Sequence, residues 1–391
     1  MIPYGRHSID EDDISAVVEV LRHGALTQGP KIAEFERAVA DRVGARYAVA
    51  VSSGTAALHL ACMAAGVGPG QRVVTSPITF VASANCARYV GADVIFSDID
   101  VATLNLAPAA LERCLARHDR VAAIIPVHFA GLPCDMPAIH ALAKSAGARV
   151  IEDAAHALGA TLPDGSRVGA CRHSDMTTFS FHPVKHVAAG EGGMITTNDE
   201  SIYQHLLRLR SHGINKGNDP YLVPEASVTG GDANPWYYEM QELGFNYRIT
   251  DIQSALALSQ FRKLDRFVDR RRQLALRYDA AFAGVPQLAP VQQAGRQCSA
   301  HHLYVVRMDF DRLGTSRAAV MGRLRERGVG SQVHYIPVPA HPYYRQMGYR
   351  TADTPNAANY YAEALSLPLF FGLKDTQQDL VVETLLGAIR S

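Results

Sequence analysis

The stretch Phe179-Ser180-Phe181-His182-Pro183-Val184-Lys185-His186-Val187-Ala188-Ala189-Gly190-Glu191-Gly192-Gly193 decides the reading of this chain. Residues 176–181 alternate apolar and small polar side chains, then meet a proline, a lysine and a glycine-rich turn, the pattern of a strand that stops where its backbone bends sharply. Held against a sheet end, an unpartnered ammonium is costly, and it escapes by pairing, by a lowered pKa, or by chemistry that removes the charge. Schiff-base formation with an aldehyde is such chemistry. Taken alone, Lys185 reads as a solvated loop lysine; the residues upstream of it change that reading.

Upstream, short β-rich runs alternate with helical periodicity. Strands are expected at 48–51, 72–75, 93–96, 121–125 and 149–151, with helices at 81–89, 108–117 and 136–146 between them. This is a βαβ series with a mostly parallel sheet, on which ligands bind beyond the carboxyl ends of the strands. After the first strand, Ser52-Ser53-Gly54-Thr55-Ala56-Ala57-Leu58 opens an apolar helix. Free amides, the helix dipole and the Ser53 and Thr55 hydroxyls make an anion site there, although the same residues also read as an ordinary helix cap. No Walker lysine and no GxGxxG spacing accompany it. Phe80 follows the second strand, placed to cover a flat ligand or to fill the core. Asp153 ends an apolar strand, where it wants a cationic partner such as a pyridinium nitrogen, or caps a helix. His156 follows three residues on and could stack on the same ligand or hydrogen-bond to it.

Downstream, a strand is expected at 194–197 and a helix at 199–209, followed by a long irregular stretch, 216–242, that contains Trp236. A single amphipathic helix over 251–282, its arginine run a solvated face, is expected to link two domains, 1–250 and 251–391. The second of these should be a smaller α/β unit whose His334-Tyr335 loop lines a sugar or base pocket. Lys+Arg and Asp+Glu are equal at 38 each over 391 residues, so no net field recruits nucleic acid or an acidic membrane surface. The six cysteines are scattered without zinc spacing, and the first residues are polar and acidic rather than signal-like. No apolar run reaches the roughly 20 residues of a membrane span. A soluble cytoplasmic protein is expected.

An anion-binding helix start, an aromatic over a ring, a strand-end carboxylate and a lysine at a strand-to-turn junction are together the parts that pyridoxal 5′-phosphate (PLP) needs. SSGTAAL (52–58), SPITFVASAN (76–85), VIEDAAHALGA (150–160), FSFHPVKHVAAGEGG (179–193), RSHG (210–213) and GFNYRITDIQSALALSQ (244–260) resemble the DegT/StrS family of PLP-dependent sugar aminotransferases over nearly the whole chain. The phrase WYYEMQELG (236–244) further resembles the branch that makes the 4-amino sugar nucleotide of pseudaminic acid synthesis.

The resemblance implies an α/β fold of the aspartate-aminotransferase type (PLP fold type I), with a large domain around a central mixed sheet and a small C-terminal domain. It implies that Lys185 forms the Schiff base and shuttles protons, that Asp153 pairs with the ring nitrogen, and that Phe80 and His156 flank the ring. It gives the phosphate to Gly54, Thr55 and Ser180, and in a homodimer with shared active sites to Asn246 of the neighbouring subunit. A sister dehydratase branch has histidine in place of the lysine, so Lys185 favours transamination; His186 departs from the asparagine of many relatives. The reaction so implied moves an amino group from L-glutamate to the C4 keto group of a UDP-linked 2-acetamido-2,6-dideoxy-hexos-4-ulose. Arg210, His212, Lys216, Arg248, His334 and Tyr335 are candidates for substrate contact, with Arg248 alternatively taking the donor carboxylate. The competing readings are an enzyme for a perosamine, 4-aminoarabinose or 3-amino sugar, and a PLP-binding regulatory protein without turnover, which the lack of a basic helix-turn-helix segment disfavours.

Overall fold

The computed structural model describes residues 1–217 and 219–390. Seven strands, β1 (Tyr47–Val51), β2 (Arg72–Thr75), β3 (Asp93–Phe96), β4 (Val121–Ile125), β5 (Arg149–Asp153), β6 (Met176–Ser180) and β7 (Gly193–Thr197), form one sheet in the order β1-β7-β6-β5-β4-β2-β3. From β3 across to β6 every pairing is parallel, whereas β7 lies antiparallel to both β6 and β1. The connection decides this. Parallel neighbours need a crossover, usually a helix, and residues 181–192 between β6 and β7 hold none, so the chain turns straight back. Lys185 sits in that return.

Helices cover both faces of the sheet. They are α1 (Glu11–His23), α2 (Pro30–Val43), α3 (Gly54–Ala64), α4 (Ala82–Tyr89), α5 (Pro108–Arg117), α6 (Met136–Ala146) and α7 (Glu200–Arg210). Strand side chains alternate between the two layers: Ala123 and Ile125 pack with α3 and α4, while Ile124 packs with α5 and α6. A sheet buried on both sides reads as continuous apolar runs, which is why its strands were visible in the sequence.

The helix expected over 251–282 is two helices, α8 (Asp251–Phe261) and α9 (Leu264–Phe282), separated at Arg262 and Lys263. Lys263 leaves the helical region, at φ −99° and ψ 3°, and its ammonium pairs with the buried Asp13 of α1 at 2.9 Å and with Asp10. The arginine run is not uniformly solvated either. Arg271 is buried and donates to the carbonyls of His302 (3.1 Å) and Leu369 (2.8 Å), pinning α9 beneath the smaller unit.

That unit is a three-stranded antiparallel sheet (Ala289–Pro290, Tyr304–Arg307, Ala364–Leu367) packed on the end of α9, on Arg317–Glu326 and on the terminal helix Asp375–Arg390. The N-terminus returns to it, with the amide of Ile2 donating to the Gly328 carbonyl at 2.7 Å and Ile2 entering its core. The segments 1–250 and 251–391 stay a proposed division of the chain, one that apolar packing crosses, since Phe261, Leu264 and Val268 share a cluster with α2. Within 214–243 the irregular stretch carries two short antiparallel pairs, Val228–Thr229 with Asp232–Ala233 and Ile214–Asn215 with Glu239–Met240. Glu242 ties the second pair to α7 through His205 (2.6 Å) and Arg208 (3.0 Å).

Candidate active site

A cavity of about 860 Å³ opens beyond the carboxyl ends of β2, β4, β5 and β6, where parallel sheets bind ligands. Gly54, Thr55, Phe80, Asp153, His156, Ser180, Lys185, His334 and Tyr335 all line it. Residues spread across most of the chain therefore meet in one space.

At its base α3 begins immediately after β1. Ser53 caps the helix by accepting from the Ala56 amide at 3.1 Å, so the cap reading holds for Ser53. Capping one amide leaves others of the first turn without an intrahelical partner, which keeps the helix start available to an anion. Two glycines let backbone approach closely here. A Cβ on Gly54 would come within 2.8 Å of Ser180 Cβ, and one on Gly193 within 2.3 Å of the Ser53 carbonyl oxygen. Gly193→Ala should therefore push the start of α3 off β7 and cost about 1–3 kcal/mol, measurable by urea unfolding, with weakened phosphate binding at the same helix start.

β5 continues two residues past the expected Ile151 and ends on Asp153. Its amide donates to the Pro126 carbonyl (2.9 Å) and its carbonyl accepts from the His128 amide (3.1 Å), so the residue is clamped on the β4 side. No helix follows for it to cap. Its carboxylate accepts from the Ala155 amide (3.1 Å) and from the Ser83 hydroxyl (2.6 Å) and otherwise faces the cavity. The neighbouring Glu152 points to the other side, where burial raises its pKa but donors on His128 (2.7 Å), Ser174 and Thr177 (2.9 Å) hold it below the ordinary carboxylate range.

Lys185 forms part of the cavity wall. Burial brings its ammonium down to about 8, against the opposing pull of the Asp153 carboxylate and with the Arg271 guanidinium adding to the depression. A proton on this amine is thus exchangeable near neutral pH. The solvated-loop reading fails because Lys185 is only partly exposed and lines the cavity at the sheet end.

His156 hydrogen-bonds through Nε2 to the Tyr335 hydroxyl at 3.1 Å, and the two rings lie within 18° of parallel. The His302 ring packs on it at 4.3 Å, and His186 lies beyond, bonded by Nε2 to the Ala300 carbonyl at 2.8 Å. Burial drives all three imidazoles well below the usual histidine range, helped by Lys185 at His156, by Arg271 at His186 and by its imidazole neighbour at His302. They are neutral, which suits stacking against a ring. His334 is pushed to about 3 by burial and the nearby Lys185, and its Nδ1 meets the Ser366 hydroxyl at 2.8 Å. Phe80 is no core residue: it is 59% exposed beside the cavity, 6.4 Å from the Tyr335 ring.

The remaining candidates lie elsewhere in a single chain. Arg210 is in a half-buried ion pair with Glu36 (2.5 Å) and donates to the Ala50 carbonyl (2.8 Å). Arg248 and Asn246 run beside β1, their backbones bridged to Val51 and Ser211, with Asn246 exposed. His212 and Lys216 are exposed too. Conversely, Tyr4, Thr79, Thr178, Glu191, His302 and His341 line the cavity without having been singled out. Thr79 and Ser83 were findable from their i, i+4 spacing after β2; nothing local marks Tyr4 or His302.

The donor set fits PLP. A helix start with hydroxyls suits its phosphate, a carboxylate its ring nitrogen and a half-buried amine its aldehyde, while a neutral imidazole whose Nδ1 has no protein partner lies beside the ring position. Among known proteins, the sequence model of the DegT/DnrJ/EryC1/StrS aminotransferase family matches residues 7–386. The chain is 42% identical over 393 aligned residues to the spore coat polysaccharide biosynthesis protein SpsC of Bacillus subtilis (strain 168), covering 100% of this chain and 97% of that one. Its structure is similar to that of Helicobacter pylori PseC, an aminotransferase involved in the biosynthesis of pseudoaminic acid, with a TM-score of 0.90, 28% identity, and 100% and 99% of the two chains covered. It is likewise similar to the PLP form of a putative sugar aminotransferase, Spr1654 of Streptococcus pneumoniae, with a TM-score of 0.87, 28% identity, and 100% and 98% covered.

Proposed function

Since the chain belongs to the DegT/DnrJ/EryC1/StrS aminotransferase family and is a PLP-dependent sugar aminotransferase, we propose that it moves the amino group of L-glutamate to the C4 keto carbon of a UDP-linked 2-acetamido-2,6-dideoxy-hexos-4-ulose. The product is UDP-4-amino-4,6-dideoxy-N-acetyl-β-L-altrosamine, a precursor of pseudaminic acid. The observation that carries this finer reading is the likeness to PseC along the whole of both chains.

Bound PLP supplies an electrophilic aldehyde and a ring that accepts the electrons of a breaking C–H bond. The chain's own residues do the rest. In this proposal Asp153 holds the proton on the ring nitrogen, while Gly54, Thr55 and Ser180 anchor the phosphate. His156 and Phe80 confine the ring between them. Lys185 Nζ would take the proton from the donor's α-carbon and release it at the other end of a 1,3-shift, as an amine near about 8 can do in both directions. His334 and Tyr335 border the acceptor sugar.

Asn246, Arg248, Lys216 and His212 fit this scheme as residues offered to a second subunit's site, whereas the Arg210 guanidinium is committed to Glu36 and the Ala50 carbonyl. Supporting a homodimer, Leu222, Trp236, Tyr238, Met240 and Leu243, beside that segment, are all more than half exposed. Large apolar side chains left exposed within one segment fit a surface that a second subunit covers. A cytoplasmic location is part of the proposal, consistent with six free cysteines; among the described residues no helix is long and apolar enough to cross a membrane.

The likeness to SpsC favours a second reading, in which another nucleotide-linked keto-sugar, destined for a surface polysaccharide, is the acceptor. Incubation with glutamate and a panel of UDP-, GDP- and dTDP-linked keto-sugars, read by mass, separates the two. Amination of the UDP-linked 4-keto sugar is expected. Conversion of a dTDP-linked 3-keto sugar alone would remove the pseudaminic reading and leave the sugar aminotransferase standing.

A further inference from the structure

Between the end of β2 and the first turn of α4 the chain places two buried hydroxyls four residues apart, Thr79 three residues before the helix and Ser83 within its first turn. Ser83 Oγ lies 2.6 Å from Asp153 Oδ2 and 2.6 Å from Thr79 Oγ1. The alternative acceptor, the Phe80 carbonyl, is 3.4 Å away. A carboxylate only accepts, so the single proton of Ser83 goes to Asp153, and the Ser83 oxygen is then free to take the proton of Thr79. The chain of donors runs one way, from Thr79 through Ser83 to Asp153, and its last bond has the short length of a hydroxyl donating to a charged oxygen. With the Ala155 amide on Oδ1 at 3.1 Å, the carboxylate is held at both oxygens and cannot rotate without losing a bond.

We infer that Thr79 and Ser83 are positioning residues, a hydroxyl relay that holds the Asp153 carboxylate aimed at the ring nitrogen of PLP. The inference rests on the cofactor reading above. It differs from a packing role because the relay acts through one ring atom. Replacing that nitrogen by carbon removes what the relay serves while leaving the phosphate, the aldehyde and the ring shape in place.

The test measures the equilibrium binding of PLP and of 1-deazapyridoxal phosphate to ligand-free wild type, Ser83→Ala and Thr79→Val. Loss of a hydrogen bond to a charged group weakens PLP binding to Ser83→Ala about tenfold. Binding of the deaza analogue stays unchanged. Thr79→Val, nearly the same shape, shifts PLP affinity in the same direction by less, because Ser83 loses the donor from Thr79 but still donates its own proton to Asp153. Equal weakening of both ligands, or of neither, would overturn the relay and leave the aminotransferase reading intact. Failure of the wild type to bind PLP at all would remove the cofactor reading and the relay with it.

Discussion

Lys185→Arg should lower turnover by about 10³-fold or more, the size expected when the group that moves the proton is lost and nothing replaces it. Arginine keeps the positive charge and much of the length, but its guanidinium stays protonated and neither attacks an aldehyde nor accepts a proton near neutral pH. Borohydride treatment of the PLP-loaded wild type should label residue 185, and the variant should stay unlabelled. An arginine variant with full turnover would end the account of the site.

The same lysine has a second, opposite consequence in the ligand-free protein. Burial brings its ammonium from the ordinary 10.5 down to about 8. Between those pH values the folded chain binds fewer protons at this amine than the unfolded chain, so stability rises with pH across that window. The handicap is full below about 8 and vanishes above 10.5. Lys185→Met should therefore stabilise the ligand-free protein by up to roughly 3 kcal/mol at pH 7 and by nothing near pH 10.5. Urea unfolding of both proteins at the two pH values checks this. A difference that does not depend on pH would mean that methionine acts by packing rather than by removing a charge.

Asp153→Asn should lower the turnover number by about 10²- to 10³-fold, since removing one partner of a buried charge pair costs several kcal/mol. Asparagine is nearly the same shape; its one oxygen still accepts from the Ala155 amide, and its NH2 can donate to the Ser83 oxygen in place of the bond that Ser83 made, so the fold should hold. What it lacks is the negative charge that, in the proposed scheme, keeps a proton on the ring nitrogen. Activity loss together with intact borohydride labelling of Lys185 would assign the effect to the ring nitrogen. Loss of labelling as well would indicate a collapsed site instead.

Much of this molecule is legible without coordinates, for identifiable reasons. β2, β3 and β4 and helices α5 and α6 fall where composition places them, because strands buried on both faces are unbroken apolar runs and the helices between them carry a clear apolar stripe. Breaks that depend on a distant partner are not legible. The division of 251–282 into α8 and α9 depends on Lys263 reaching Asp13 in α1, and the burial of Arg271 depends on the carbonyls of His302 and Leu369. Neither helix periodicity nor charge pattern encodes partners that lie 31, 98 and 250 residues away along the chain.

For the site, the chemistry-bearing residues could be named one by one, because each sits at a strand end or helix start whose local sequence demands something unusual of it: a glycine where backbone must pass close, a carboxylate closing an apolar strand, a lysine on a tight return. Their convergence on one cavity follows from parallel strands presenting the same end to the same side. What surrounds them came from packing. The His302 ring reached His156 because the smaller unit folds over the sheet, Tyr335 met the same imidazole, and the Ser83 hydroxyl turned to Asp153 across two strands' worth of sheet. Local sequence constrains what a residue can do; only the closing of long loops, at an entropy cost independent of side-chain identity, determines which residue it does it with.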